Sequence, residues 1–478
     1  MTRIPHPRSR HRRIDTTGHR RQDTHASRVR AMVDCEMGHN GRGTLPRAED
    51  AMSADTSDTG DNTGTSANAM VIIGASLAGA KAAQALREEG WDGPIELIGN
   101  ELDLPYERPP LSKGYLQGKE PRDKAFVHDG AWYVENQIGL RLGRTAAAFD
   151  RKQHVVHLDD GTEVPYAKLL LTTGSTPKHL PIPGGDAPNL SYFRTLEDSE
   201  RTRAQLIPGS RLVIIGAGWI GLEVAAAARE QDVEVTVLEA AAQPLLRALG
   251  PDVGALFAHL HRTHGVDLRL NTNVDSFTLE EKDGVEVASR VRLTDGTEIE
   301  ADHFLIAVGI SPNTKLAEAA GLEVNDGIVV DQTLRTADPD VFAAGDVARA
   351  WHPFYEQPIR VEHWANALNQ PKVAAASMLG ADQEYTRLPY FFSDQYDLGM
   401  EFVGHVPHEG YDQVVFRGDP DSGTYVAFWL SADRRVLAGM NVNVWDVVDE
   451  VRALILGRAE IDVARLKDPG VPLAEVAA

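Results

Sequence analysis

Only one of the 478 residues is a cysteine, Cys35. A single thiol cannot form an internal disulfide, a C-x-x-C redox pair or the thiolate cage of an iron–sulfur cluster. Long hydrophobic runs are missing too: nothing approaches the roughly 20 apolar residues that span a bilayer. The N-terminal arginines are not followed by the apolar core of a secretory signal. These absences make the cytoplasm the expected location and leave no role for a membrane. Positive charge is also in deficit, with 48 Lys and Arg against 70 Asp and Glu, a net charge of -22. Phosphate backbones are bound by clustered Lys and Arg, so nucleic acid is not an expected partner. The acidity reads as solubility. No metal site is expected.

What is present is an ordinary globular composition, 42% apolar and 25% charged, on a chain long enough for about two to four domains. Residues 1–68 mix Arg, His, Asp, Thr, Ser and Gly without a period of 2 or 3.6, which predicts a disordered tail. A βα rhythm starts at Ala69. "MVIIG" reads as a buried strand, "AGAKAAQALREEG" as an Ala-rich helix and "PIELIG" as the next strand, a unit that builds parallel sheet. "RLVIIGAGWIGLEVAAAAREQDVEVTVLEA" is a second such unit. "DGTEIEADHFLIAVGISPN" echoes "DDGTEVPYAKLLLTTGSTP", a duplication on the scale of a domain. From about Leu388 the pattern becomes aromatic and alternating, as in "YFFSDQYDLGMEFVGH". The expectation is an α/β protein with one nucleotide-binding domain split around another. Residues 69–188 and 312–387 form the split domain and 189–311 the inserted one. Residues 388–478 form a separate α+β domain.

The glycine motifs carry the chemistry. Gly216, Gly218 and Gly221 form an unbroken G-x-G-x-x-G between a strand and a helix. The first glycine permits the turn, the second lets backbone approach a pyrophosphate, and the third lets helix and strand pack. The anion sits at the helix N-terminus, where N–H groups and the dipole point at it. Glu239 ends the following strand. Its carboxylate would accept from both ribose hydroxyls and repel a 2′-phosphate, which predicts NADH over NADPH. The first loop keeps Gly74 and Gly79 but has Ser76 in the middle, whose hydroxyl can itself donate to phosphate. Its second strand ends on Asn100 and Glu101 rather than a lone acid; either side chain can reach ribose. Two dinucleotides on one chain imply that a hydride passes between them, from NADH to a flavin.

From about Met70 onward the chain resembles the NADH-dependent ferredoxin reductases of oxygenase systems. The resemblance rests on "ASLAG", "PYERPPLSKGYL", "TTGSTP", "YFRTLEDS", "GAGWIGLEVA", "AVGISPN", "VFAAGDVA", "VEHWANALNQ" and "FFSDQYDLGMEFVG". It implies the glutathione-reductase-like fold of two dinucleotide-binding domains plus a C-terminal α+β domain. It implies FAD held by Gly74, Ser76 and Gly79, and an adenosine ribose near Asn100, where many relatives have Asp. Arg108 and Lys113 should lie along the flavin, with Lys113 near N5 and O4, where a cation stabilises the charge that builds on reduction. Arg194 and Asp346 should contact FAD, and Trp364 should pack beside the isoalloxazine and face the electron acceptor. Glu223 should approach the nicotinamide. The implied cofactor contacts further include Leu77, Ala78, Glu101, Ala147, Thr173, Gly174, Gly345, Glu362 and His363. Around the second loop they include Trp219, Ile220, Glu239, Val308 and Gly309. The catalytic candidates are Lys113, Trp364 and Glu223. The implied activity is hydride acceptance from NADH by FAD and one-electron delivery to an iron–sulfur ferredoxin. That ferredoxin would serve a cytochrome P-450 or a ring-hydroxylating dioxygenase, with the reductase a monomer or homodimer. Rubredoxin reductase, or an NADH-binding flavoprotein with a scaffold role like apoptosis-inducing factor, shares these motifs.

Overall fold

The computed structural model describes residues 68–406 and 410–478. Cys35 and the expected tail, apart from Asn68, lie outside the described residues. Met70–Ile73, four apolar residues each at most 5% exposed, form the central strand of a five-stranded parallel sheet. Burial on both faces is what a continuous Val/Ile run encodes. The strand order is Val341–Ala343, Lys168–Leu171, Met70–Ile73, Ile95–Gly99, Ile138–Leu142. The edge strand at 341–343 is supplied by a segment far down the chain, so this sheet is completed only after the second has been made.

The second sheet is also five-stranded and parallel, in the order Asp267–Arg269, Glu234–Leu238, Arg211–Ile215, His303–Ile306, Leu190–Ser191. Each parallel sheet is accompanied by a three-stranded antiparallel meander. One is Ala146–Asp150, Val155–Leu158 and Glu163–Pro165; the other is Val274–Lys282, Val285–Leu293 and Glu298–Glu300. The echo in the sequence is thus an echo in architecture. Between the two units the chain crosses twice, and the crossings pair with each other: Ser175–Pro177 runs antiparallel to Ile310–Pro312.

On either side of Val341–Ala343 in the chain lie the strands of a small sheet, Ile328–Val330, Ala348–His352 and Gln357–Arg360, which leads into the helix Trp364–Met378. That helix packs on Leu77–Glu88. Alanines 80, 82, 83, 374 and 375 are fully buried or nearly so, and such small side chains let two helices approach closely. The C-terminal segment folds into a five-stranded antiparallel sheet, ordered Tyr390–Gln395, Leu398–Gly404, Val436–Val442, Thr424–Leu430, Gln413–Asp419. Helix Val448–Gly457 covers it. Among the described residues no helix is long and apolar enough to cross a membrane.

Candidate active site

A cavity of about 540 Å³ opens where the first glycine loop, the start of the helix at Trp219, the N-terminus of the helix at Trp364 and the strand Tyr390–Gln395 converge. Ligands of open α/β sheets sit beyond the carboxyl ends of the strands, where this cavity lies.

The first loop forms one wall. Gly74 has φ +121°, and a Cβ there would lie 2.1 Å from the Thr172 carbonyl oxygen. A Cβ on Gly79 would lie 2.1 Å from the carbonyl of Gly74. Both positions are therefore closed to any side chain, and Gly79 serves packing rather than the cavity wall. Ser76, Leu77 and Ala78 face the cavity. Ser76 is the N-cap of helix Leu77–Glu88, yet its hydroxyl makes no capping bond. The first N–H groups of that helix thus face the cavity uncapped by a side chain, a donor set that fits a pyrophosphate.

A cluster of charge forms the next wall. Glu101 accepts from Tyr106 Oη and from Arg108 Nη2 at 3.2 Å. Arg108 donates also to the Arg194 carbonyl, and Arg194 Nη2 pairs with Asp346 Oδ2 at 2.8 Å. Arg194 Nε is buried without a partner among the described residues. An orphaned guanidinium N–H on a cavity wall fits an absent polar ligand. Glu101 lines the cavity with one bond on each oxygen, and a carboxylate has further acceptor sites free. Asn100 lines the same corner and is exposed. Thr173 and Gly174 line the floor, tied to Asn313 by reciprocal bonds of 2.9 and 2.8 Å. Gly345 also lines it, its N–H donating to Gln370 Oε1 at 2.8 Å.

Lys113 and Glu223 meet in the cavity although they come from different sheets' units. Lys113 Nζ lies 2.7 Å from Glu223 Oε2, and both side chains are largely buried. The ammonium also sits 5.6 Å from the ring centre of Phe392, a cation–π distance. Trp364 meets Phe392 edge-on at 5.9 Å and donates its Nε1–H to Glu107 at 3.1 Å. His363 packs on Phe391 at 4.5 Å. Burial pushes its imidazole down to about 4, outweighing the opposing pull of Asp346, so it is neutral at pH 7. Glu362 pairs with Arg360 at 2.5 Å and faces the cavity.

The second loop has the same geometry at its ends. Gly216 has φ +103°, and a Cβ would lie 2.4 Å from the Ala307 carbonyl oxygen; one on Gly221 would lie 2.2 Å from that of Gly216. A Cβ on Gly218 would meet nothing within 4 Å. That open space in front of the backbone, beside a helix start without a side-chain cap, fits a second pyrophosphate. Glu239 accepts from Ala217 N–H at 2.7 Å and from Ala241 N–H at 2.8 Å, holding its carboxylate at the loop. Trp219 and Ile220 reach the cavity; Gly216, Gly218, Gly221, Glu239, Val308 and Gly309 do not line it.

Ala147, also expected as a contact, does not line the cavity either. Ala147 lies in the strand Ala146–Asp150, exposed and away from the cavity. The pairing register slips between Ala146 and Ala148, so Ala147 is the unpaired residue of a bulge. Other wall residues were not singled out from sequence: Thr172, Ser112, Phe391 and Phe392. The aromatic doublet before "SDQYD" was the available signal for the last two.

Residues 68–371 match the family model described as pyridine nucleotide-disulphide oxidoreductase, and residues 390–477 match that described as reductase C-terminal. The chain is 43% identical to the anthranilate 1,2-dioxygenase system ferredoxin–NAD(+) reductase component of Burkholderia cepacia, over 85% of this chain and 99% of that one. It is 39% identical to putidaredoxin reductase of Pseudomonas putida, over 86% of this chain and 96% of that one. Among solved structures, the reductase in the covalent putidaredoxin reductase–putidaredoxin complex matches with a TM-score of 0.81 at 39% identity. That match covers 85% of this chain and 97% of the other. The ferredoxin reductase for the CYP199A2 system from Rhodopseudomonas palustris also gives 0.81, at 33% identity over 86% and 100%. The chain belongs to the pyridine nucleotide-disulphide oxidoreductase family, among the ferredoxin–NAD(+) reductases of oxygenase systems.

Proposed function

We propose that this protein is a cytoplasmic FAD-dependent reductase that accepts a hydride from NADH and delivers electrons one at a time to an iron–sulfur ferredoxin. The ferredoxin in turn supplies a cytochrome P-450 or a ring-hydroxylating dioxygenase. The observation that carries this reading is the convergence of Lys113, Glu223 and Trp364 on the cavity bounded by the first glycine loop. The relatives named for ferredoxin reduction support it over nearly their whole length.

Flavin, once bound, supplies the change from a two-electron to a one-electron carrier. The chain's own residues do the rest. Ser76, Leu77 and Ala78 offer backbone donors to its pyrophosphate, with Gly74 making the turn, its own N–H bonded to the Ile98 carbonyl at 2.8 Å, and Gly79 packing behind them. Asn100 takes the adenosine ribose. Arg108, Arg194, Asp346, Thr173, Gly174 and Gly345 line the remainder. Lys113 presents an ammonium to the ring edge, where negative charge gathers on reduction. Gly216, Gly218 and Gly221 receive the NADH pyrophosphate, and Glu239 its adenosine ribose, with Val308 and Gly309 alongside. Glu223 aligns Lys113 where the nicotinamide must arrive. Trp364, between Glu107 and Phe392, marks the edge from which electrons leave. In domain terms we assign 69–188 and 312–387 to FAD, 189–311 to NADH and 388–478 to the C-terminal domain.

The test is a purified yellow protein assayed with NADH and a panel of ferredoxins, with NADPH as control. The expected result is NADH-driven reduction of at least one ferredoxin faster than of a generic dye. Equal or slower reduction of every ferredoxin defeats the proposal.

A further inference from the structure

Glu223 is more than the counter-ion of Lys113. Its Oε2 accepts from Ser112 Oγ as well as from the ammonium, and its Oε1 accepts from Ser393 Oγ at 2.6 Å. Ser393 belongs to the C-terminal sheet, 170 residues away in sequence. From there the contacts continue inward. Gln395 Nε2 reaches Ser393 Oγ at 3.1 Å, His261 Nε2 reaches Gln395 Oε1 at 2.8 Å, and Tyr396 Oη reaches His261 Nδ1 at 3.3 Å. Glu223, Ser393, Gln395 and His261 are each at most 4% exposed.

The direction of every bond is fixed by the carboxylate at the end. A carboxylate only accepts, so Ser393 must give it its hydroxyl proton. Ser393 then needs a donor, which sets the Gln395 amide with its nitrogen toward Ser393 and its oxygen toward His261. That oxygen requires the proton on His261 Nε2, leaving Nδ1 as the acceptor for Tyr396. Burial pushes the His261 imidazole down to about 4, so it holds this single-proton form at neutral pH. Four donors thus point the same way, and bonds aligned head to tail polarise one another.

We propose that Ser393, Gln395 and His261 are positioning residues that hold the Glu223 carboxylate, and through it the Lys113 ammonium, at the reaction site. The inference rests on the function proposed above and adds residues that touch neither cofactor. It also gives the C-terminal sheet a role in the hydride step besides any role in docking. No proton needs to travel along the chain for this role; the network fixes an angle and a charge.

The test compares wild type, Ser393→Ala, His261→Leu and His261→Gln, each as the full FAD-loaded protein. Three quantities are read: the rate at which NADH bleaches the flavin absorbance under anaerobic conditions, the NADH concentration for half-maximal rate, and the flavin midpoint potential. Ser393→Ala and His261→Leu should retain flavin, bleach about tenfold more slowly, as expected for one hydrogen bond to a charged group, and show a more negative potential. The half-maximal NADH concentration should move little. His261→Gln, whose amide N–H replaces the Nε2–H, should restore the rate to within about twofold of wild type. Ser393→Ala removes a single oxygen and decides the matter if His261→Leu does not fold. Flavin-loaded Ser393→Ala with wild-type rate and potential overturns the inference. Wild-type protein that binds FAD but is not bleached by NADH overturns instead the function on which it rests.

Discussion

The two glycine loops are built alike and placed differently. In both, the first and last glycines are shut against backbone at 2.1 to 2.4 Å. The middle position differs. Ser76 lines the cavity together with Thr172, Arg194, Gly345 and Asp346 from other segments. Gly218 faces open space, and next to it Ile220 is 40% exposed. The first loop is enclosed by parts of the chain that arrive late in the sequence, whereas the second is a shelf with one side clear. Enclosure suits a group that stays bound through many turnovers, and a shelf suits one that is exchanged each time.

The comparison is broken most completely at its shared feature. Gly74→Ala should abolish flavin retention, because the new methyl would need the space of the Thr172 carbonyl at a left-handed φ; absorbance after desalting reads this directly. The counterpart Gly216→Ala should leave the protein yellow and remove NADH-driven bleaching. Next in size is Lys113→Met, which leaves Glu223 without its cation. Flavin reduction should slow on the order of a hundredfold, the usual loss for one aimed electrostatic group, with FAD still bound.

The middle positions sharpen the contrast. Gly218→Ser copies the first loop into the second. With nothing within 4 Å it should fold normally, within about 0.5 kcal/mol of wild type. It should raise the NADH concentration for half-maximal rate about fivefold by filling the approach to the phosphate, a cost of roughly 1 kcal/mol. Glu239→Ser should lower the preference for NADH over NADPH by about tenfold, measured as the ratio of kcat/KM, since the charge that repels a 2′-phosphate is gone.

The smallest effect concerns the C-terminal strand behind Lys113 and Glu223. Asp394, adjacent to Ser393, is pushed up to about 7, chiefly by burial and against the pull of Lys113, with Glu223, Glu401 and Glu120 adding to the rise. An unfolded aspartate releases its proton near pH 3.9. The folded protein therefore keeps a proton that the unfolded chain has lost between about pH 4 and pH 7. Stability from this group is greatest below that window and is lost as pH rises through it. Asp394→Asn should flatten that decline, which thermal midpoints of both proteins at pH 5 and pH 8 would show. An unchanged difference between the two pH values would remove Asp394 as its source.

Both loops could be read from sequence because their constraints are local: a buried Val/Ile strand, a glycine with positive φ and a helix start lie within a dozen or so residues. The duplicated meanders were legible for the same reason. The placement of Phe391 and Phe392 in the cavity wall, and of Ser393 against Glu223, was not, because these contacts form only when the C-terminal sheet docks against the helix at Trp219, and no period or spacing marks that docking. Trp219 meeting Phe391 edge-on at 4.9 Å is a product of docking in the same way. Sequence placed the Glu101 carboxylate at this corner but not its bonds to Tyr106 and Arg108, which depend on the fold of the loop between them. The helix Trp364–Met378 was obscured by Pro371 in its interior.

The paired crossings Ser175–Pro177 and Ile310–Pro312 place the beginning and the end of the intervening segment side by side. Residues 178–309, between them, therefore leave and re-enter the rest of the chain at one doorway. A replacement module could keep both junctions in register, but it would have to rebuild the contacts that Trp219 and Glu223 make with the C-terminal sheet.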